Sequence, residues 1–219
     1  MFPYKDDNPS STFPFVTVGI IIANVAVFAY QLKLGPLNQA FIYNFGAISK
    51  EIWTFANLPD SQALPPLLSL FSSMFLHGGF SHIIGNMMYL WIFGDNVEDQ
   101  LGHFSFLIFY LICGLFAALF NTIMSQGSTI PMIGASGAIS GVLGAYVLRF
   151  PRAKIHILFF VFIFVRVIQL PALLVLGFWF AMQLFSSLSA GGNLGGGVAW
   201  FAHVGGFVLG FLIMLFFRR

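Results

Sequence analysis

Charge is scarce in this sequence. Only 7% of its 219 residues are Asp, Glu, Lys or Arg, against about a quarter in an ordinary soluble domain. With 58% hydrophobic residues and a mean hydropathy of +0.91, the chain has too little polar surface to face water, and lipid is its expected solvent. Cysteine is scarcer still. Cys113 stands alone, which excludes an internal disulfide and any zinc ribbon or CxxC pair. The net charge of +2 is small and scattered, and so speaks against nucleic acid as a partner. Residues 1–11, MFPYKDDNPSS, lack both the basic start of a signal peptide and the Arg-rich amphipathic character of a transit peptide. The first apolar run is therefore expected to be retained as a span.

What the chain has is apolar length. No Asp, Glu, Lys or Arg occurs in 100–148, nor in 167–217, and such stretches hold several spans of roughly 20 residues each. The spans are read as 13–32, 81–94, 104–124, 134–148, 170–188 and 198–217, giving an all-α membrane protein of six transmembrane helices. Segment 155–165 is apolar but only about 16 Å long as a helix, against a hydrocarbon core of about 30 Å. It is expected to be interfacial or re-entrant. Six spans place Lys5, Arg149, Arg152, Lys154, Arg166, Arg218 and Arg219 on one side, and Lys33 and Lys50 on the other. The positive-inside bias then makes both termini cytoplasmic. Residues 1–12 become a short cytoplasmic tail, 13–217 one membrane domain, and 218–219 a cytoplasmic end.

The first outer connection, 33–80, is long for a loop without structure and is dotted with Phe41, Ile42, Phe45, Ile48, Ile52, Trp53 and Phe55. It reads as short helices in the outer leaflet, broken by Pro59, Pro65 and Pro66 before the second span.

Polar side chains within a bilayer are costly, which singles out His82, Asn86, Ser136, Ser140 and His203. Ser136 opens the fourth span in Gly134-Ala135-Ser136-Gly137, where a helix start leaves amides unpaired. Alone, that tetrapeptide reads more readily as helix packing. His203 alters the reading. It lies just inside the sixth span, which also starts from outside, and Gly137 with Gly141, and Gly206 with Gly210, have the spacing of closely packed helices. A His within reach of a Ser is the minimal activated nucleophile. No acid lies at that depth, because Asp95, Glu98 and Asp99 fall at the inner end of the second span, so a dyad is expected rather than a triad. His82 and Asn86, four residues apart on one helix face, are candidate oxyanion donors together with the Ser136 N–H. His77, His82 and His203 lack the HExxH pattern or a carboxylate partner of a zinc centre, so neither metal nor cofactor is expected. Trp53, Trp91, Trp179 and Trp200 read as packing or interface anchors.

These residues resemble the rhomboid intramembrane proteases across nearly the whole chain. His77, His82 and Asn86 match the spacing HxxxxHxxxN, residues 134–137 match GxSG, and Ala202-His203-Val204-Gly205-Gly206 with Gly210 is similar to the family's sixth-span pattern. The resemblance implies a six-helix bundle with a cavity opening outward and a membrane-embedded first outer loop. It further implies single-span protein substrates cut near the outer membrane boundary. Two positions depart from the pattern. Leu67-Leu68-Ser69-Leu70 stands where many members carry a Trp-Arg pair in the loop, and Ser140 stands where some carry an aromatic against the catalytic His. The rival readings are a rhomboid-like protein that binds transmembrane segments without cutting them, and a small channel or transporter. Retention of Ser136 and His203 opposes the first, and clustering of the polar groups in the outer third opposes the second. The simple architecture points to a prokaryotic plasma membrane; no oligomeric state is legible.

Overall fold

A computed structural model describes residues 2–56, 58, 64–161, 164–189 and 199–217. Pro59, Val198, Arg218 and Arg219, which carry parts of the expected loop break, last span and charge count, lie outside the described residues.

Six longer helices occupy the places of the six expected spans: α1 (Phe15–Lys33), α5 (Phe80–Leu101), α6 (His103–Met124), α7 (Ser136–Arg149), α8 (Ala172–Ser189) and α9 (Trp200–Phe216). By length and apolar composition, α1, α6 and α8 are each sufficient to cross a membrane. The boundaries shift for local reasons. The helix start moves from Gly134 to Ser136 because Gly134 has φ +121°, outside helical backbone. The second helix runs on to Leu101 rather than stopping at Gly94, because its acidic end meets partners. The Glu98 carboxylate accepts the Val16 and Thr17 N–H groups at 2.9 and 2.8 Å, satisfying the first turn of α1, and sits 2.6 Å from His103 Nδ1. Asp99 in turn accepts the Ser11 and Thr12 hydroxyls. Gly102, at φ +78°, then lets the chain reverse into α6.

The chain is not all-α. The described residues of segment 155–165, expected to be interfacial or re-entrant, lie in two strands, β2 (Lys154–Val161) and β3 (Phe164–Pro171), and β1 (Phe2–Asp6) completes an antiparallel sheet in the order β1-β2-β3. The cause is composition. Isoleucine, valine and phenylalanine dominate a run too short to span as a helix, and such residues fit a pleated, half-buried surface. Ile155 and Ile157 are buried with His156 turned outward between them, the period-two pattern of a strand packed on one face. Residues 1–12 are thus more than a tail. The sheet is tied to the bundle by the Tyr146 hydroxyl of α7, which donates to the Asp6 carboxylate, and by Ala172 N–H donating to Ala153 O at 2.8 Å. An open-edged sheet leaves backbone groups that hydrocarbon cannot satisfy, so this end of the bundle belongs to an aqueous face.

The first connection folds into α2 (Asn38–Phe45), α3 (Ser49–Thr54) and α4 (Pro66–Ser72). Pro65 and Pro66 begin α4 instead of merely ending the loop, as suits proline at a first helical turn. The axes of residues 66–75 and of α5 meet at 80°. Anchoring of this loop does not need a Trp-Arg pair. Trp53 Nε1 donates to Thr122 O at 2.8 Å, Lys50 N–H to Ser128 O at 2.9 Å, and Ala47 and Met132 exchange backbone bonds at 3.0 and 2.8 Å.

Helix α7 is the axis of the molecule, with every residue from Gly137 to Val147 buried. Its principal partner is α9. A Cβ on Gly206 would overlap the Gly137 carbonyl, one on Gly210 the Gly141 carbonyl, and one on Gly144 the Phe207 carbonyl. Glycines on both helices therefore bring two backbones into contact, as small residues do between membrane helices.

Candidate active site

Close approach of α7 and α9 decides what Ser136 and His203 can reach. Ser136 is the first residue of α7 and His203 lies in the first turn of α9; His203 Nε2 is 2.8 Å from Ser136 Oγ. Nδ1 of the same ring is 2.8 Å from Gln183 Oε1 on α8. A carbonyl oxygen can only accept, so Nδ1 carries the hydrogen and Nε2 presents its lone pair to the Ser136 hydroxyl. This is the tautomer that removes a proton from the serine.

A second set of donors comes from α5. Gly78 N–H donates to His82 Nδ1 at 3.3 Å, which leaves the hydrogen of that ring on Nε2. His82 Nε2 faces Gly134 so closely that a Cβ there would lie 2.7 Å from it, and Asn86 Nδ2 would lie 3.6 Å from the same Cβ. Gly134, two residues before Ser136, is thus the point on which both side chains converge. Asn86 Nδ2 also lies 3.0 Å from His77 Nε2, and the His77 backbone is clasped on both sides by the Gln31 amide of α1, at 3.0 and 3.1 Å. An amide nitrogen has two hydrogens, so holding one on His77 leaves a second for the cavity that Asn86 lines together with Ser136. The first N–H groups of α7 have no acceptor within their own helix and add donors on the same side.

A cavity of about 360 Å³ opens over these groups, lined by His82 and Asn86 from α5, Ser136 from α7, Gln183 from α8, and Trp200 and His203 from α9. Its size suits a few side chains of an unwound peptide. Among the described residues no three His, Cys, Asp or Glu side chains gather as a metal site.

Three features were not read from the sequence. Ser140 donates to Ser136 O at 2.6 Å, one turn back along its own helix. Ring support for His203 comes instead from Trp179 on α8 and Trp200 on α9, with centroids 6.0 and 6.2 Å away. The sequence alone reads both as anchors for packing or interface. Gln183, 6% exposed, belongs to no motif in the sequence. Its signal is an amide one helical turn after Trp179, in a helix whose residues are apolar up to that point, which places both on one face.

Comparison with known proteins bears on this arrangement. A family model described as the Rhomboid domain matches residues 65–219. The chain belongs to the rhomboid family. It is similar to the mitochondrial Rhomboid protein 1 of Saccharomyces cerevisiae, 33% identical over 218 residues, covering 96% of this chain and 54% of that protein. It is also similar to the Rhomboid protease GluP of Bacillus subtilis, 29% identical over 204 residues, covering 90% of this chain and 35% of the relative. The mitochondrial Presenilin-associated rhomboid-like protein of Bos taurus is 32% identical over 145 residues, covering 64% and 34%. The chain therefore spans between about a third and about half the length of these rhomboid relatives. Membership makes it an integral membrane protein. The expectation of a prokaryotic plasma membrane draws no support here, since two of these three rhomboid names are mitochondrial.

Proposed function

We propose that this protein is an intramembrane serine endopeptidase working through a Ser136–His203 dyad. The observation that carries the reading is the 2.8 Å approach of His203 Nε2 to Ser136 Oγ, in a cavity where His82 and Asn86 converge on Gly134. Ser136 Oγ attacks the substrate carbonyl carbon while its proton passes to His203 Nε2. Charge gathers on the carbonyl oxygen, which the Ser136 N–H, His82 Nε2–H and the free Asn86 Nδ2–H are disposed to receive. The imidazolium then returns its proton to the leaving amine, and water, deprotonated by the same histidine, releases the acyl group from Ser136.

The six longer helices are six spans in this reading. Helix α7 is roughly 21 Å long at 1.5 Å per residue, shorter than a core of about 30 Å. Burial among its neighbours spares its ends from lipid and sets Ser136 below the membrane surface, where water enters through the cavity. The seven-to-two distribution of basic residues puts the termini and the sheet in the cytoplasm and the site towards the opposite face. Helices α2 to α4 lie in the outer leaflet. The substrates are single-span proteins with helix-weakening residues near the outer boundary, because a helical peptide bond is hidden by its own hydrogen bonds. No cofactor takes part; the partners are the substrate segment and the bilayer.

A serine-directed fluorophosphonate tests the nucleophile directly. Purified wild type is expected to label and Ser136→Ala not to. Equal labelling of the two proteins would contradict the assignment.

A further inference from the structure

A dyad leaves its histidine free to rotate and to exchange tautomers, and here a third side chain stands against both. We infer that Gln183 is a positioning residue of the reaction: its amide carbonyl accepts the Nδ1 hydrogen of His203 and thereby fixes the imidazole as the base of Ser136. The inference rests on the dyad reading.

The geometry is a three-member relay drawn from three helices. Gln183 Oε1 on α8 lies 2.8 Å from His203 Nδ1 on α9, and His203 Nε2 lies 2.8 Å from Ser136 Oγ on α7. Gln183 is buried at 6% exposure, so water does not compete freely for its carbonyl. Trp179, one turn earlier on the same face, lies against the imidazole with centroids 6.0 Å apart and planes 37° apart, which limits ring rotation. A primary amide is an unusual choice because it is ambivalent. With its oxygen on Nδ1, the lone pair of Nε2 faces the serine; with its nitrogen there, Nε2 would carry the hydrogen and donate to Ser136, a state that cannot take a proton. Orientation of one amide thus separates a competent site from an incompetent one.

Low dielectric accounts for the choice of residue. A carboxylate in this position of a soluble triad aligns the histidine and offsets its transient charge. A permanent charge among membrane helices is costly to bury. The neutral carbonyl dipole keeps the alignment and part of the electrostatic help with no charge to desolvate. Gln183 touches neither nucleophile nor scissile bond in this scheme and acts only through His203.

The test compares wild type, Gln183→Leu, Gln183→Glu and Ser136→Ala in one detergent, following a fluorogenic transmembrane-segment peptide and the fluorophosphonate labelling rate. Gln183→Leu keeps the bulk and removes the acceptor. It is expected to lower kcat and the labelling rate roughly 10- to 100-fold with KM nearly unchanged. Gln183→Glu keeps an acceptor oxygen at the same reach and is expected to stay within about threefold of wild type. Selective ¹⁵N-histidine labelling, with His203→Ala to assign the resonance, should show the hydrogen of His203 on Nδ1 in wild type and in Gln183→Glu, and on Nε2 or in exchange in Gln183→Leu. A Gln183→Leu protein with wild-type kcat, or one in which both variants fail alike with the Nδ1–H signal intact, overturns the positioning role while leaving the dyad untouched. Failure of wild type itself to cleave or label overturns the protease reading and this inference with it.

Discussion

At the scale of single residues, Gly134 shows how little room the site allows. Its φ of +121° strains any L side chain, and a Cβ there would lie 2.7 Å from His82 Nε2. Gly134→Ala is expected to displace His82 and cost about 100-fold in kcat, the scale of losing one oxyanion donor, and to lower the melting temperature through its strained backbone; steady-state cleavage beside a thermal melt checks it. Asn86→Ala removes a donor without adding bulk and is expected to lower kcat by a similar factor at nearly constant KM. Ser136, His203, His82 and Asn86 were legible because each is a polar group in apolar surroundings, and because the order of spans gives their depth. Gln183 was not legible. It has no motif around it, and only the crossing of α8 over α9 turns a lone amide towards an imidazole.

Among the elements, contact of α7 with α9 depends on carbonyls of one helix filling the place of absent side chains on the other. Gly210→Val would drive its Cβ into the Gly141 backbone, and is expected to unfold the helix pair or cost about 3 kcal/mol. Thermal aggregation in detergent reads this, with Gly19→Val, where a Cβ meets nothing within 4 Å, as the comparison. At the opposite end, the Glu98 side chain is fully buried and binds two amides of α1. Glu98→Ala is expected to cost about 3 kcal/mol in the same measurement. Helix positions were readable from hydropathy because a long apolar run has few alternatives to a helix. The strands were not. A largely apolar run of eleven residues suits a strand and a buried helix equally, and the partner that settles the matter, Phe2–Asp6, lies some 150 residues away in sequence.

For the molecule as a whole, the sheet is tied to the helix bundle through a titratable contact. Burial, with lesser contributions from the nearby Asp95 and Asp7 charges, pushes the Asp6 carboxyl up to about 6 from 3.8, against the pull of its hydrogen bond from Tyr146. A carboxyl raised in the folded state favours folding when protonated. Its stabilisation is complete below about pH 4 and is lost as pH rises through about 6, so melting of wild type should fall across that window more steeply than melting of Asp6→Asn. Equal slopes would remove Asp6 from the account. The larger arrangement brings three helices that start from one side, α5, α7 and α9, to a single cavity, which is why polar groups far apart in sequence share one depth. The most direct measurement of what that arrangement does is cleavage in liposomes of a single-span substrate with a Gly or Pro near its outer boundary, by wild type, Ser136→Ala and His203→Ala. Wild type is expected to release the fragment cut near that boundary, and both variants to leave the substrate intact. A fragment that still appears with either variant would contradict the dyad.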